Sequence, residues 1–480
     1  MHAHCELGLL RSALPGKVTH LLRTVEQPRA GPIVQANNQV VSHAIRSFIG
    51  IRRDGELGRM TTEMLRLAQK YGGMGIHTAA DTAKGAYVGS RYLTQALVKN
   101  LMGSCPPLPA AYHDFLQRWS DETGEQKPPP LDGNDAKDKL QHRIYQAQSR
   151  MQRKVLKEWL DGNLRERTHL NSIKADKTGC NSWITDLDGW RPRTGPKRYQ
   201  NPSDDTTLGY RVTLARYLCI PVATEGAKCV GCGELMDVYG DHALTCKKGS
   251  GGGLGSWQTH RHDETANHIY RLGRDAGFSG KNLVRERREY GSNLRPADLH
   301  VVERADGGPD ANDDEDDQGQ QEPQGDVLID DASNRPNQRY RETSYDVTIT
   351  ATQKPNNNPH GGEAATGEAG AEASKVVKAK RNKYKKFLQE LKELGGAQAR
   401  RRLETLAFES SGYTHGEAKK LITSWAQMAE ARMGLERALA QACAGRSFRT
   451  RQDISTTIHW WNSVSIISRC ELDLTVLQRF

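Results

Sequence analysis

Cys229, Cys232, His242 and Cys246 fall within eighteen residues as Cys-x2-Cys followed by His-x3-Cys, a spacing suited to a single Zn2+. Two thiolates two residues apart grip a tetrahedral ion from one tight turn, and an imidazole with a third thiolate closes the set from the next turn or short helix. Gly231, Gly233 and Gly240 supply the backbone freedom such turns need. Cysteines also serve as small buried hydrophobes, but the remaining ones (Cys5, Cys105, Cys180, Cys219, Cys443 and Cys470) stand isolated, whereas this set has metal-ligand spacing. Nine cysteines, an odd number without framework spacing, point to a reducing compartment.

Two carboxylates follow the knuckle. Asp298 ends an Arg295-Pro296-Ala297-Asp298 step, and Asp346 sits in Tyr345-Asp346-Val347-Thr348. Phosphodiester cleavage calls for a divalent cation that polarises the scissile phosphate and lowers the pKa of an attacking water, and hard Asp oxygens suit Mg2+. Alternation over Tyr345 to Thr350 predicts a strand with Asp346, Thr348 and Thr350 on one face and Val347 and Ile349 toward a core, so Asp346 projects beside Asp298 if the two strands pair. A basic helix predicted from an N-cap at Ser374 to about Leu394 offers Lys380 and Lys383, three apart on one face, to orient water or offset charge on phosphorus. Other cations of that region (Arg295, Lys375, Lys378, Arg381, Lys385 and Lys386) are candidates for the nucleic-acid backbone. His262, beside His260 and His268, is a candidate to reach the knuckle or a phosphate, although such histidines more often pack on helices.

The elements that must position these groups are mainly helical. Helical spacing covers Leu9 to Val25, Val40 to Ile51, Thr61 to Tyr71 (stopped by Gly72-Gly73) and Ala79 to Leu101. A proline-rich break precedes a long charged helix over Ala136 to Leu160, and Tyr210 to Ile220 leads into the zinc set. His260 to Gly277 is a further helix, Leu283-Val284, Leu299 to Val302 and Tyr345 to Thr350 are strand candidates, and Gly416 to Ala444 and Ile454 to Arg469 close the chain as helices. Between the strands, Pro309 to Asp331 holds ten acidic residues and no Lys or Arg, which predicts disorder. Setting it aside, the formal charge of +10 becomes an excess of about +20, favouring a polyanionic partner through counterion release. No apolar run is long enough to span a bilayer and no signal peptide is legible, so the expected setting is intracellular.

In this order, the Arg-containing apolar helix Tyr210 to Ile220, the Cys-Cys-His-Cys set with Gly240-Asp241-His242-Ala243-Leu244, the Arg-Pro-Ala-Asp step, Asp346-Val347-Thr348 and Lys380-x2-Lys383-Tyr384 resemble the C-terminal half of site-specific non-LTR retrotransposon polyproteins. There a zinc knuckle precedes a restriction-like endonuclease of the PD-(D/E)xK superfamily. The resemblance implies Asp298 and Asp346 as metal ligands and Lys380 with Lys383 as the lysines of the site. Leu10 to Val25 and Tyr71-Gly72-Gly73-Met74-Gly75-Ile76 are similar to the thumb that follows the polymerase palm in such proteins. This chain departs from the pattern in four places. Between Asp298 and Asp346 stand 47 residues where the family usually has about a dozen, an extension whose loop-closure cost is only about 1.2 kcal/mol. Thr348 stands where many superfamily members carry Lys, the first motif reads Pro-Ala-Asp instead of Pro-Asp, and the last knuckle gap is three residues where some relatives have four.

The expected architecture is therefore α+β: a helical thumb-like module (1–125), a helical linker region (126–220), a zinc knuckle (221–250), a restriction-like nuclease core with a mixed sheet (256–415, with the acidic insert at about 303–340) and a helical tail (416–480). Asp204-Asp205 lies in a polar turn, not an apolar hairpin, so polymerase activity is not expected and the chain reads as a fragment or diverged remnant. The expectation is a nuclear, Mg2+-dependent DNA endonuclease with structural Zn2+, acting on DNA, with the element's RNA as a further candidate partner. The rivals are an inactive nucleic-acid-binding module and a fragment that supports a polymerase supplied elsewhere.

Overall fold

A computed structural model of the chain describes residues 14–25, 27–49, 58–104, 140–173, 182–185, 205–246, 257–278, 282–285, 298–304, 340–351, 370–394, 402–432 and 439–469, with a few shorter pieces. Arg295, the acidic insert, the Gly249 to Gly255 stretch and residues 355–369 lie outside the described residues.

The first half is helical: α1 (Leu14–Thr24), α2 (Gln27–Ile49), α3 (Arg59–Arg66), α4 (Ala79–Met102), α5 (Leu140–Trp159), α6 (Leu164–Ser172) and α7 (Asp205–Tyr217). One difference from the sequence expectation is the long α2, which takes in Pro28 and Pro32. Proline fits a helix's first turn, where the N–H has no intrahelical partner, and Pro28 lies there; Pro32 lies inside the helix. After α3 the chain doubles back, Met74 donating its N–H to Met64 and Ile76 to Leu65. Gly72 adopts φ 90°, and a Cβ on Gly73 would sit 2.0 Å from the Leu67 carbonyl oxygen. Gly73→Ala should therefore lose about 3 kcal/mol or more, since the obstruction is backbone; urea unfolding is the check.

The stretch expected as a linker is part of the core. Leu156 and Leu160, Leu170, Ile173, Trp183 and Val212 bury against Met64, Leu67 and Ile76 of the N-terminal module in one cluster that also takes in Ala227, Cys229 and Leu244 of the knuckle. Charged composition along α5 concealed this, because its exposed Arg and Lys flank a buried stripe of Ile144, Ala147 and Leu156.

A second core lies around a four-stranded mixed sheet: β1 (Leu283–Arg285), β2 (Leu299–Arg304), β3 (Tyr340–Thr350) and β4 (Arg402–Glu409), in that spatial order. β1, β2 and β3 are antiparallel neighbours, and β4 pairs parallel to β3, which requires the crossover made by α10 (Ala371–Leu394). Side chains alternate: Leu299, Val301, Tyr345, Val347, Leu406 and Phe408 join a core with α9 (Trp257–Asp275) and α11 (Gly416–Arg432), while Ala407 meets Ala373 and Val377 of α10. α10 starts three residues before the expected cap, so Ser374 lies inside its first turn and its N–H reaches the Gly370 carbonyl.

The C-terminal segment is no tail. α12 (Leu439–Arg469) runs as one helix through the expected break and contributes Ile454 and Ile458 to the sheet core and Trp460, Trp461, Val464 and Ile466 to the helical core. Among the described residues no helix is long and apolar enough to cross a membrane.

Candidate metal centre and paired carboxylates

The knuckle folds as the spacing requires. Lys228 bridges Leu235, Cys229 donates its N–H to the Glu234 carbonyl, and Gly233 closes the turn with φ 77°. Gly240, at φ 75° with Ile466 of α12 only 3.0 Å from where a Cβ would stand, opens the short helix α8 (Asp241–Thr245) that carries His242 and leads to Cys246. The ligand atoms of Cys229, Cys232, His242 and Cys246 all lie within 4.8 Å of one another. Cys229 Sγ is 3.9 Å from Cys246 Sγ, and Cys232 Sγ is 3.1 Å from His242 Nε2; ligands about 2.3 Å from a tetrahedral Zn2+ stand about 3.8 Å apart. Burial works against the Cys229 thiolate, but the backbone N–H groups of Cys232 and Gly231 outweigh it and lower the thiol's pKa. The four residues thus form a cluster able to hold a metal such as zinc, Nε2 being the ring nitrogen toward the thiolates.

This cluster is anchored on both sides. Asp241 is buried between Arg165 of α6 (2.7 Å) and Arg216 of α7 (2.8 Å), and Arg165 also lies over the Tyr239 ring. From α12, Ser465 donates to the Ala243 carbonyl and Arg469 to that of Cys246, each within 2.8 Å.

The backbone places the two aspartates opposite each other across the long insertion. The β2–β3 register ends at Leu299 opposite Tyr345, which places Asp298 opposite Asp346 one step on. Asp298 donates its N–H to the Tyr345 carbonyl, and its Oδ2 accepts the Val347 N–H at 2.6 Å. Lys380 of α10 spans the Asp346 carboxylate, 3.2 Å from Oδ1 and 2.9 Å from Oδ2. Burial raises the Asp346 pKa and Asp298 adds to it, against Lys380 and His262; on Lys380, burial is outweighed by Asp346 and the pKa goes up.

Of the other predicted groups, Lys383 is exposed with its ammonium 5.2 Å from the Tyr384 ring centroid, so the lysine at the carboxylates is Lys380. Lys375 is exposed and pairs with Glu372, Arg381 is exposed and pairs with Glu417, and Lys378 and Lys385 are exposed. The side chain of Lys386 lies outside what the structure describes. His262, expected to reach the knuckle or a phosphate, reaches Asp298 from α9 (3.2 Å), while Glu409, at the end of the unpredicted β4, accepts the Ala373 N–H at the start of the lysine helix (3.2 Å).

Glu409 gives a pH prediction. Burial raises its carboxyl to about 7 and Glu372 adds to this, although Ala373 and Ser411 donate hydrogen bonds that oppose it. The folded chain then holds a proton the unfolded chain releases near 4.5, so this contribution to stability is complete below about 4.5 and lost as pH rises through 7, amounting to about 3 kcal/mol. Thermal unfolding of Glu409→Gln should match the parent at pH 4 and exceed it at pH 8.

No protein-family model matches the chain, and no curated protein matches it significantly.

Proposed function

We propose that this chain is a Mg2+-dependent DNA endonuclease: the thumb-like, zinc-knuckle and restriction-like nuclease portion of a non-LTR retrotransposon protein, which nicks a chromosomal target and so frees a 3′ end for priming. The observation that carries the reading is the meeting of Asp298 and Asp346 across β2 and β3, with the Lys380 ammonium on Asp346, although the sequence separates the two acids by 47 residues. A strand–strand–helix arrangement of two acids and a lysine also agrees with a PD-(D/E)xK core, the lysine arriving from α10 because Thr348 fills its usual strand position.

Bound Mg2+ would polarise the scissile phosphate and acidify a water. Asp298 and Asp346 would hold the ion, beside the Lys380 ammonium that stands 2.9 Å from Asp346 Oδ2. Lys380 opposes the protonation that burial favours at Asp346 and would face the phosphate with a cation. The exposed Lys375, Lys378, Arg381 and Lys385 on α10, with the knuckle beside the helical core, supply a surface for the phosphate backbone. Incubation of the zinc-loaded chain with supercoiled plasmid and Mg2+ tests the proposal: open circles that EDTA prevents support it. Salt-sensitive DNA binding with the plasmid left supercoiled favours the binding-module reading.

A further inference from the structure

We propose that His262 is a positioning residue of this site, holding the Asp298 carboxylate by its Oδ2 while Asp263 holds the imidazole; the proposal rests on the nuclease reading above. His262 Nε2 lies 3.2 Å from Asp298 Oδ2 and 3.1 Å from the Val347 carbonyl oxygen, and Nδ1 lies 3.0 Å from Asp263 Oδ1. These three partner atoms are all acceptors, so the ring acts as donor at both nitrogens.

Val347 binds the pair from both its backbone groups, giving its N–H to Asp298 Oδ2 and taking His262 at its carbonyl. Asp298 Oδ2 is therefore fixed by two donors from different elements, one on β3 beside Asp346 and one on α9. This leaves Oδ1 as the oxygen for a cation. Asp298 needs such support more than Asp346 does, because it stands one residue before β2 begins, whereas Asp346 lies within β3 and pairs with Thr405 of β4. Partners that orient a metal-binding carboxylate without touching the metal are commonly worth 10- to 100-fold in metal affinity or activity.

The helix bearing His262 is itself held. Arg261 bonds Asn462 of α12, Trp461 donates to Glu264 at 3.0 Å, and His268 meets Thr457 at 2.9 Å. The imidazole thus reaches the carboxylate from a braced helix, the arrangement that keeps a ligand in one orientation.

The test uses the full zinc-loaded chain. Plasmid nicking at saturating Mg2+ should show kcat reduced about 10- to 100-fold in His262→Ala with KM for DNA little changed. His262→Gln, whose amide can donate to the same oxygen while carrying no charge, should recover most of the loss, and Asp263→Asn, at a half-exposed side chain, should fall between. Independently of activity, the His262 Nε2–H signal of 15N-histidine-labelled protein, assigned by its loss in His262→Ala, should shift in Asp298→Ala. If His262→Ala misfolds, the Gln and Asn variants with the resonance carry the test. Nicking that Asp298→Ala abolishes and the His262 and Asp263 variants leave intact, or a resonance indifferent to Asp298→Ala, overturns this proposal alone. A wild-type chain that leaves plasmid supercoiled removes the nuclease reading and this proposal with it.

Discussion

Asp298→Ala and Asp346→Ala should each lower plasmid nicking by about 10^3-fold or more, because under the proposed function each would remove a ligand of the catalytic cation. Loss of several kcal/mol of transition-state stabilisation corresponds to that factor, tenfold for each ~1.4 kcal/mol. The two variants differ in what they leave behind. Without Asp346 the partly buried Lys380 ammonium loses its partner, so Asp346→Asn is the companion that keeps the side chain's shape. Without Asp298, Val347 and His262 lose an acceptor at the sheet edge. Lys380→Ala should cost about 10^2-fold, while Lys383→Ala, at an exposed lysine over Tyr384, should change kcat less than about threefold. Initial rates of conversion from supercoiled to open circle, beside far-UV spectra of each variant, measure all five. An equal loss at both lysines would contradict the assignment of Lys380.

Loss of zinc should destabilise far more than the knuckle. Cys229, Cys246 and Leu244 are buried in the same cluster as Met64, Trp183 and Ile466, and the carbonyls of Ala243 and Cys246 are acceptors for α12. Zinc binding in isolated small zinc domains has apparent free energies of about 10–16 kcal/mol. If a third of this is felt in a chain with other cores, the midpoint of thermal unfolding falls by about 3–5 °C. Chelation and Cys229→Ser should both do this, with metal content falling from one zinc per chain to none. A Cys229→Ser protein that keeps its zinc or its thermal midpoint would refute the assignment. Since α12 also contributes Ile454 and Ile458 to the sheet core, zinc loss should reach the carboxylate site through that helix.

The zinc set was legible because all four ligands and the turns that present them are local. The carboxylate pair was legible for a different reason: alternation along Tyr345 to Thr350 fixes which side Asp346 takes, and only one register puts Asp298 opposite it. Spacing alone could not choose between Lys380 and Lys383, because the side of α10 that packs on β4 is set by Ala373 and Val377 meeting Ala407. β4 escaped notice since a buried parallel strand such as Leu403 to Phe408 lacks polar alternation. His262 meets Asp298 from an element far from it in the chain, and the Arg165–Asp241–Arg216 arrangement likewise unites three helices, so no local pattern announces either contact.

The proposed cutting activity depends on one divalent cation held between Asp298 and Asp346. Crystals of the zinc-loaded chain equilibrated with Mn2+, a scattering substitute for Mg2+, should give an anomalous peak at the manganese edge about 2.2 Å from an oxygen of each carboxylate, absent from Asp346→Ala crystals. An empty position there, at a Mn2+ concentration that supports nicking, would contradict it.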